Sequence, residues 1–271
     1  MKKIVFSRKG FDTHNGGFPS PVFPDGTLYS VPIPGKYNKK RYCDLEFVYG
    51  KDRIQDILND LTKKRIKIKG ESKKCNYNDA KFRCHEDPVV IDGKMTLGQV
   101  GSALGHLRKQ NVQKGDIFLF YGLFQKVERK EGKWKYIGKP FHMIFGYMKI
   151  EEVFNVNEGE DDNLRVHPHF DDEFMKKYNK DNMIFTGREY KIFNFDDKRV
   201  LSALKSNKGH SYWCIPVDVD FSLAFSHIKK MEVKGSEVYF RSPSPGQEFV
   251  LNLDAIPQKE KIIRYIDTTL S

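Results

Sequence analysis

Residues 114–124 have the sequence KGDIFLFYGLF and carry the strongest β-strand signal in the chain. The Lys-Gly-Asp start is typical of a turn, and the apolar run after it is too long and too aromatic for an ordinary loop. A second such run, HMIFGYMKI at residues 142–150, follows a polar segment that contains Trp134 and Tyr136. We therefore expect both segments to be strands of a β-sheet.

Shorter apolar runs predict further strands. These lie at residues 4–7, 184–186, 213–216, 237–241 and 247–252. A helix is predicted at residues 51–64, because apolar side chains recur there at i, i+3, i+4 and i+7. A shorter helix is predicted near residues 196–206, where Val200, Leu201 and Leu204 share a face.

A third helix is predicted at residues 97–110. Thr96 and Gln99 have the spacing of a capping box, in which each side chain satisfies a backbone amide of the first turn. Val100, Leu104 and Leu107 continue an apolar face along this segment.

The predicted fold class is α+β, with a mixed or antiparallel, barrel-like sheet and flanking helices. A Gly/Pro-rich segment between residues 10 and 35 predicts a shaped loop, which we expect to form part of a site. The sequence shows no internal repeat and no long linker. We therefore expect one compact domain over residues 1–271, with an N-terminal site lobe (1–111) and a β-rich lobe (112–271) as the alternative division.

The chain is strongly basic. Its 47 Lys and Arg residues against 36 Asp and Glu residues give a formal net charge of +11 over 271 residues. Such a surplus favours nucleic acid as a partner, because it attracts polyanions; the alternative is a lysine-rich surface that only keeps the protein soluble. No segment approaches the ~20 apolar residues that span a bilayer. We therefore expect a cytoplasmic protein without a membrane partner or an obligatory protein partner.

The cysteine and histidine pattern does not predict a metal site. Cys75, Cys84 and His85 lack the paired Cys-x-x-Cys spacing of a zinc finger. His167 and His169 flank a proline and would need at least one more ligand. We expect reduced thiols, no metal and no cofactor.

Nine motifs, in which unusual polar residues stand among rare Gly and Pro arrangements, extend over nearly the whole chain. They are SRKGFD (7–12), GGFPSP (16–21), PDG (24–26), CHEDP (84–88), LGQVG (97–101), GDIFLF (115–120), HMIFG (142–146), HPH (167–169) and GQEFV (246–250). Together they resemble the family called nucleotide modification associated domain, third type. That family is associated with phage and bacterial systems that install, read or attack modified DNA bases, so the resemblance implies DNA, and phage DNA in particular, as the partner.

A second resemblance concerns the middle of the chain. The turn at residues 114–116 and the Phe-Gly pair at 145–146 are similar to those of the PUA-like superfamily, which contains the EVE and ASCH domains. This resemblance implies a flipped or unpaired base held in a pocket beside a β-barrel.

The family resemblance implies a DNA glycosylase that excises a modified base, such as glucosylated hydroxymethylcytosine, and leaves an abasic site. Such an enzyme flips the nucleotide out of the stack and stabilises an oxocarbenium-like sugar with a carboxylate. Two other functions stay open: a reader that binds the flipped base without cleavage, and a transferase that decorates a base. The sequence has no Walker loop and no dinucleotide fingerprint, which disfavours donor-dependent chemistry.

Asp12 is the first candidate for the catalytic carboxylate, because it follows a predicted strand and the basic residues Arg8 and Lys9. The alternative is a turn cap, a common role of Asp beside Gly and Asn. Lys9 is a candidate for a Schiff base with the sugar if burial lowers its pKa; the alternative is a phosphate clamp formed with Arg8.

Asp87 is the second candidate. Pro88 favours an extended backbone at Asp87, which would place His85 and Asp87 on one side for proton transfer. The alternative for Asp87 is the start of a loop.

Other side chains are candidates for contacts with DNA or with the flipped base. The basic run at residues 63–74 is suited to phosphate contact, with a solvated loop as the alternative. Polar and aromatic residues elsewhere are suited to base contact, with core packing as the alternative. The candidates are Ser7, Arg8, Phe11, Ser20, Asp25, Ser30, Lys63, Lys64, Arg65, Gln99, His106, Tyr121, Phe124 and His142.

Overall fold

The computed structural model describes residues 2–159, 161–243 and 248–271, and β-strands are its commonest element. Every predicted strand is confirmed. Residue 247, the first of the predicted segment 247–252, lies outside the described residues, and so does residue 246 of the GQEFV motif. The strands are β1 (Lys3–Arg8), β2 (Ser20–Val22), β3 (Ile33–Pro34), β4 (Val48–Tyr49), β5 (Asp52–Arg53), β6 (Arg65–Ile68), β7 (Glu71–Lys74), β8 (Cys84–His85), β9 (Val89–Ile91), β10 (Lys94–Val100), β11 (Ile117–Lys130), β12 (Lys133–Tyr136), β13 (Phe141–Lys149), β14 (Glu152–Asn155), β15 (Asn182–Gly187), β16 (Tyr190–Ile192), β17 (Tyr212–Ile215), β18 (Glu232–Lys234), β19 (Glu237–Arg241) and β20 (Phe249–Asn252).

The helices agree less well with the sequence-based expectation. The helices are α1 (Ile54–Thr62), α2 (Gly101–Lys109), α3 (Asp172–Lys177) and α4 (Lys259–Leu270). α1 confirms the predicted helix, whereas residues 196–206 contain only a single 3-10 turn at Asp197–Arg199, so that prediction was wrong. In the part of the chain that the structure describes, no helix combines the length and apolarity needed to cross a membrane.

The largest sheet has the strand order β16-β13-β11-β1-β20, with β2 and β12 also paired to β11. β1 lies between β11, to which it is parallel, and β20, to which it is antiparallel. A strand in this position is covered on both faces, which explains the continuous apolar run Ile4-Val5-Phe6. The α+β class is confirmed, but this sheet does not close into a barrel, because its end strands β16 and β20 do not pair with each other.

A second sheet, with the order β14-β15-β10-β9, corrects the prediction for residues 97–100. Thr96 and Gln99 lie within β10, which pairs with β15 and β9 on its two sides. Thr96 Oγ1 donates to the carbonyl of Val89 at 2.7 Å instead of capping a helix. Long-range pairing thus overrides the local capping pattern, and the helix begins only at Gly101, whose φ of 55° turns the chain.

The two faces of the central sheet contribute to different apolar cores. Phe6 of β1 packs with Trp213 in one core, and Val5 belongs to the core on the opposite face. Since successive strand residues point to opposite faces, Arg8 continues the face of Phe6 and Ser7 continues the face of Val5. The end of β1 therefore supplies polar side chains to both faces.

Candidate active site

A buried carboxylate, Glu248, lies beside the end of β1. The pairing of Phe6 with Phe249 brings Glu248 next to Ser7, and Ser7 Oγ donates to Glu248 Oε1 at 2.8 Å. Gln99 Nε2 donates to the same oxygen at 2.9 Å, and Lys9 Nζ lies 3.5 Å from it. We call Ser7, Lys9, Gln99 and Glu248 the Glu248 cluster.

The second oxygen of this carboxylate has no partner. Only 8% of the Glu248 side chain is exposed, and Oε2 is buried without a hydrogen bond to any residue within the described ranges. A buried acceptor without a donor reduces the stability of the folded protein, so its presence calls for an explanation such as a catalytic role. Sequence reasoning missed Glu248, although the residue stands in the GQEFV motif. It named Ser7, Lys9 and Gln99 as candidates, and the structure brings these three together around Glu248.

The opposite face of the sheet carries a second group, Arg8, Tyr121, His142 and His210, which we call the Arg8 cluster. The Arg8 guanidinium lies 5.4 Å from the centre of the Tyr121 ring. The His142 ring is 5.5 Å from that of Tyr121 and 4.9 Å from that of His210. The sequence predicted Arg8, Tyr121 and His142 as contacts to DNA or to the flipped base, and the structure brings these three together. Sequence reasoning did not single out His210.

Unpaired polar atoms are concentrated in the Arg8 cluster. Among the residues that the structure describes, Arg8 Nε, Tyr121 OH and His142 Nε2 are buried without a hydrogen-bond partner. Trp213 Nε1 donates to His142 Nδ1 at 3.0 Å, so Nε2 carries the proton of the neutral ring. Burial, with a contribution from the Arg8 charge, holds the pKa of His142 well below its usual value. The cluster therefore offers donors that lack acceptors.

A surface cavity gives access to this side of the sheet. It has a volume of about 240 Å³ and is lined in part by Ser202, Leu204 and His210. His210 thus borders both this cavity and the Arg8 cluster, since its ring lies 4.9 Å from that of His142.

A third group lies around Asp87 and comprises His85, Asp87, His167 and His169, which we call the Asp87 cluster. The Nε2 atoms of His85 and His169 lie 3.6 Å and 3.8 Å from Asp87 Oδ2, and His167 Nε2 lies 3.4 Å from Oδ1. The amide of Gly98 donates to both carboxylate oxygens, at 3.1 and 3.2 Å. The sequence predicted that His85 would lie beside Asp87, but it did not predict the contacts of His167 and His169 with the same carboxylate.

The protonation states in the Asp87 cluster follow from these contacts. Burial opposes the charged carboxylate, yet the contact with His167, the contact with His85 when Nε2 of that ring carries a proton, and the charge of Lys9 hold the pKa of Asp87 well below its usual value. Burial also holds the pKa of His169 well below its usual value, so this ring is neutral. Lys9 thus acts on both Asp87 and Glu248, and the two clusters lie side by side.

Three residues of the Asp87 cluster also meet the geometric requirement for a metal site. One ligand atom each from His85, Asp87 and His169 lies within 4.8 Å of the other two. Within the described part of the chain, no such group includes Cys75 or Cys84, which are buried free thiols.

Asp12 lies near the same strand end but is engaged in a turn. Its Oδ1 accepts hydrogen bonds from the amides of His14 and Asn15, both at 2.6 Å. This arrangement corresponds to the turn-capping alternative. Phe11, next to it, is fully buried and contacts the ring of Tyr42.

The other candidates from the N-terminal loop also hold the backbone. Ser20 Oγ accepts from the amide of Val31 at 3.1 Å. A Cβ at Gly10 would collide with Ser30 Oγ, so Ser30 packs directly against the backbone after β1. Asp25 is exposed and accepts from the amide of Thr27 at 2.9 Å, and this bond lowers the pKa of Asp25.

The remaining candidates lie outside the three clusters. His106 Nε2 is 2.9 Å from Ser226 Oγ, and Phe124 is fully buried in the apolar core. Lys63 and Lys64 follow α1 and Arg65 begins β6, all three exposed to solvent. The β6 strand contacts the loop after β1, because the amide of Gly16 donates to the carbonyl of Lys67.

Comparison with known proteins supports a role in nucleotide modification. The family model described as nucleotide modification associated domain 3 matches residues 3–252, and this match confirms the resemblance inferred from the sequence motifs. Comparison with curated proteins and with solved structures yields no significant match.

Proposed function

Because the chain belongs to the nucleotide modification associated domain 3 family, we propose that it is a DNA glycosylase that excises a modified base and leaves an abasic site. The observation that carries this proposal is the Glu248 carboxylate, which is buried, fixed through one oxygen by Ser7 and Gln99, and unpaired at the other oxygen among the described residues. Enzymes that hydrolyse glycosidic bonds typically place carboxylates beside the sugar, where they activate water or stabilise the developing positive charge.

The proposed reaction gives a separate role to each group of the Glu248 cluster. The bond between C1′ and the base nitrogen breaks, and its electron pair leaves with the base. Water adds to C1′ and gives its proton to Glu248 Oε2, while the departing base takes a proton from the Lys9 ammonium, which lies beside Oε1 at 3.5 Å. Proton transfer from Glu248 to Lys9 then restores the starting state.

The Arg8 cluster is suited to hold the flipped base. A base displays carbonyl and ring-nitrogen acceptors along its edge, and Arg8 Nε, Tyr121 OH and His142 Nε2 are buried donors without acceptors within the described ranges. Burial raises the pKa of Tyr121 to about 12, so its hydroxyl keeps the proton. The charge of Glu248 also acts on Tyr121, and the two clusters thus adjoin the same end of β1 from opposite faces of the sheet.

This assignment gives the carboxylate role to Glu248 in place of Asp12. A catalytic carboxylate needs an oxygen that faces the sugar, whereas the Asp12 carboxylate is held in its turn by two short amide hydrogen bonds to Oδ1. Lys9 Nζ lies 3.5 Å from Glu248 Oε1, and a Schiff base would require this nitrogen to leave the carboxylate and attack C1′ as a nucleophile. We therefore propose a monofunctional glycosylase in which water is the nucleophile.

The proposed substrate is phage DNA with modified cytosines, such as glucosylated hydroxymethylcytosine, as the family resemblance implies. The test incubates the protein with such DNA and with unmodified DNA, and measures released bases by mass spectrometry. Release of the modified base together with abasic sites supports the proposal. Tight binding of modified DNA without release would contradict it and leave a reader of modified bases.

A further inference from the structure

We propose that His85, Asp87 and His169 bind one divalent transition-metal ion, contrary to the expectation from the sequence. One ligand atom of each residue lies within 4.8 Å of the other two, and the closest recorded approaches are those of His85 Nε2 and His169 Nε2 to Asp87 Oδ2. The nitrogens are 3.6 and 3.8 Å from the carboxylate oxygen. Metal–ligand bonds of about 2.0–2.2 Å place neighbouring ligand atoms ~3 Å apart. A small shift of the two imidazoles towards Asp87 therefore completes the site.

The hydrogen bonds of Asn38 fix the orientation of the His85 lone pair. Asn38 Nδ2 donates to the carbonyl of Pro168 and to Asp171, so its Oδ1 must be the acceptor that faces His85 Nδ1 at 3.1 Å. Nδ1 of His85 therefore carries the proton. In the neutral ring, the lone pair of Nε2 points towards Asp87.

Asn182 fixes the orientation of the His169 lone pair in the same way. Its Nδ2 donates to the carbonyl of His169 at 3.0 Å, and its Oδ1 lies 2.6 Å from His169 Nδ1. The proton of the neutral ring is thus on Nδ1, and the Nε2 lone pair also faces Asp87. Two lone pairs and a carboxylate that converge on one point repel each other unless a cation lies between them.

Such outer partners are typical of metal sites. A ligating histidine nearly always donates its second N–H to a carbonyl or carboxylate oxygen, which fixes the tautomer and the ring orientation. Asn38 and Asn182 are both buried, each with 1% exposure or less, and each serves one histidine in this way.

His167 is a positioning residue and not a ligand. Its Nδ1 accepts from the amide of His169 at 3.1 Å, so its Nε2 carries the proton and faces Asp87 Oδ1 at 3.4 Å. Gly98 completes the support with its amide and leaves room for the ring of His169, since a Cβ at this position would overlap the imidazole. The Gly98 amide thus supports both oxygens of Asp87. The His167 ring lies on the side of Oδ1, and Oδ2 is the oxygen that faces the two lone pairs.

The ligand set determines the class of metal. Two imidazoles and one carboxylate suit iron(II), manganese(II), cobalt(II) or zinc(II) and leave further positions open for exogenous ligands, whereas calcium and magnesium prefer oxygen ligands. This inference goes beyond the proposed function and does not depend on it, because binding is measured without DNA.

The test uses untagged full-length protein that has been treated with a chelator and then titrated with cobalt(II). We expect one equivalent to bind, with visible d–d absorption bands from a site of nitrogen and oxygen ligands. His85→Gln and Asp87→Asn should lose this equivalent, and His106→Gln, a histidine on α2 outside the cluster, should retain it. Asn38→Ala should weaken the affinity about 10–100-fold, as expected for an outer partner.

A second measurement needs no variant. Nitrogen-15 spectra of histidine-labelled protein should show Nδ1–H tautomers for His85 and His169, and zinc(II) should shift their Nε2 resonances. Absence of metal binding by the folded wild-type protein, or unchanged affinity in folded His85→Gln, would overturn the proposal. In that case a proton shared between the imidazoles and Asp87 holds the cluster together.

Discussion

Ser7 donates a hydrogen bond of 2.8 Å to Glu248, a residue 241 positions away in the chain. The bond exists because β1 pairs with β20 in a register that sets Phe6 against Phe249. It orients the carboxylate so that Oε1 meets three donors and Oε2 meets none among the described residues.

Ser7→Ala is expected to disturb the orientation of this carboxylate. Loss of a hydrogen bond to a charged group costs about 1.5–3 kcal/mol, so the free energy of unfolding should fall by about this amount and base release should slow about 10-fold or more. Urea unfolding and single-turnover base release measure the two effects. Ser236→Ala, at an exposed position in the turn between β18 and β19, serves as the control and should change neither.

Gly98→Ala is expected to destabilise the protein, because the added Cβ would overlap the His169 imidazole. Overpacking of this kind costs about 1–3 kcal/mol. Gly105→Ala provides the matched control on α2, where a Cβ meets nothing, and it should stabilise the helix by up to about 1 kcal/mol. Denaturant unfolding of the two variants should therefore shift in opposite directions; equal shifts would argue against the close contact between Gly98 and His169.

Stability is expected to fall as the pH drops below about 6.5. Burial holds the pKa of His169 well below its usual value, and burial together with the Arg8 charge does so for His142. Between the unfolded and folded pKa values the unfolded state binds more protons, so each ring lowers the free energy of unfolding by about 1.4 kcal/mol per pH unit. Urea unfolding at about pH 7, 6 and 5 measures this slope.

His142→Gln should reduce the pH dependence of the unfolding free energy by the contribution of one histidine, about 1.4 kcal/mol per pH unit. A slope that is unchanged in this variant would show that His142 is not buried as a neutral ring. Protonation of Asp87, whose pKa is also lowered, affects stability only at still lower pH, because its contribution is complete above its ordinary value of 3.8.

The basic residues after α1 are expected to contact phosphates. Simultaneous replacement of Lys63, Lys64 and Arg65 by Ala should weaken binding to modified and unmodified DNA equally. The slope of log K against log salt should decrease by about 0.9 for each phosphate that the variant no longer neutralises. Replacement of Lys130, Lys133 and Lys135 on the β11–β12 hairpin removes the same charge elsewhere, and an equal effect of both sets would reject a specific role for residues 63–65.

Local patterns were sufficient for the elements that long-range pairing does not reshape. The apolar run of β11 and the helical spacing of Ile54, Ile57 and Leu58 predicted the elements that the structure contains. The pattern at Thr96–Gln99 fails because β15 and β9 compete for the same backbone hydrogen bonds and prevail.

The candidate site was only partly predictable for a related reason. Arg8, Lys9 and Asp87 were recognisable because they stand beside strands, bends or prolines. Glu248 and His169 reach the site through the register of β20 with β1 and through contacts of a loop with β10. A single sequence does not encode such register in any local pattern.

Base release by Glu248→Gln tests the central claim most directly. The substitution keeps the shape of the side chain and removes the charge, and Glu152→Gln on the exposed strand β14 is the control. With modified DNA under single-turnover conditions, we expect Glu248→Gln to release the base at least about 100-fold more slowly than the wild type, as for loss of acid–base catalysis. The variant should still bind the DNA. Wild-type rates of release by folded Glu248→Gln would contradict the assignment of Glu248 as the catalytic carboxylate.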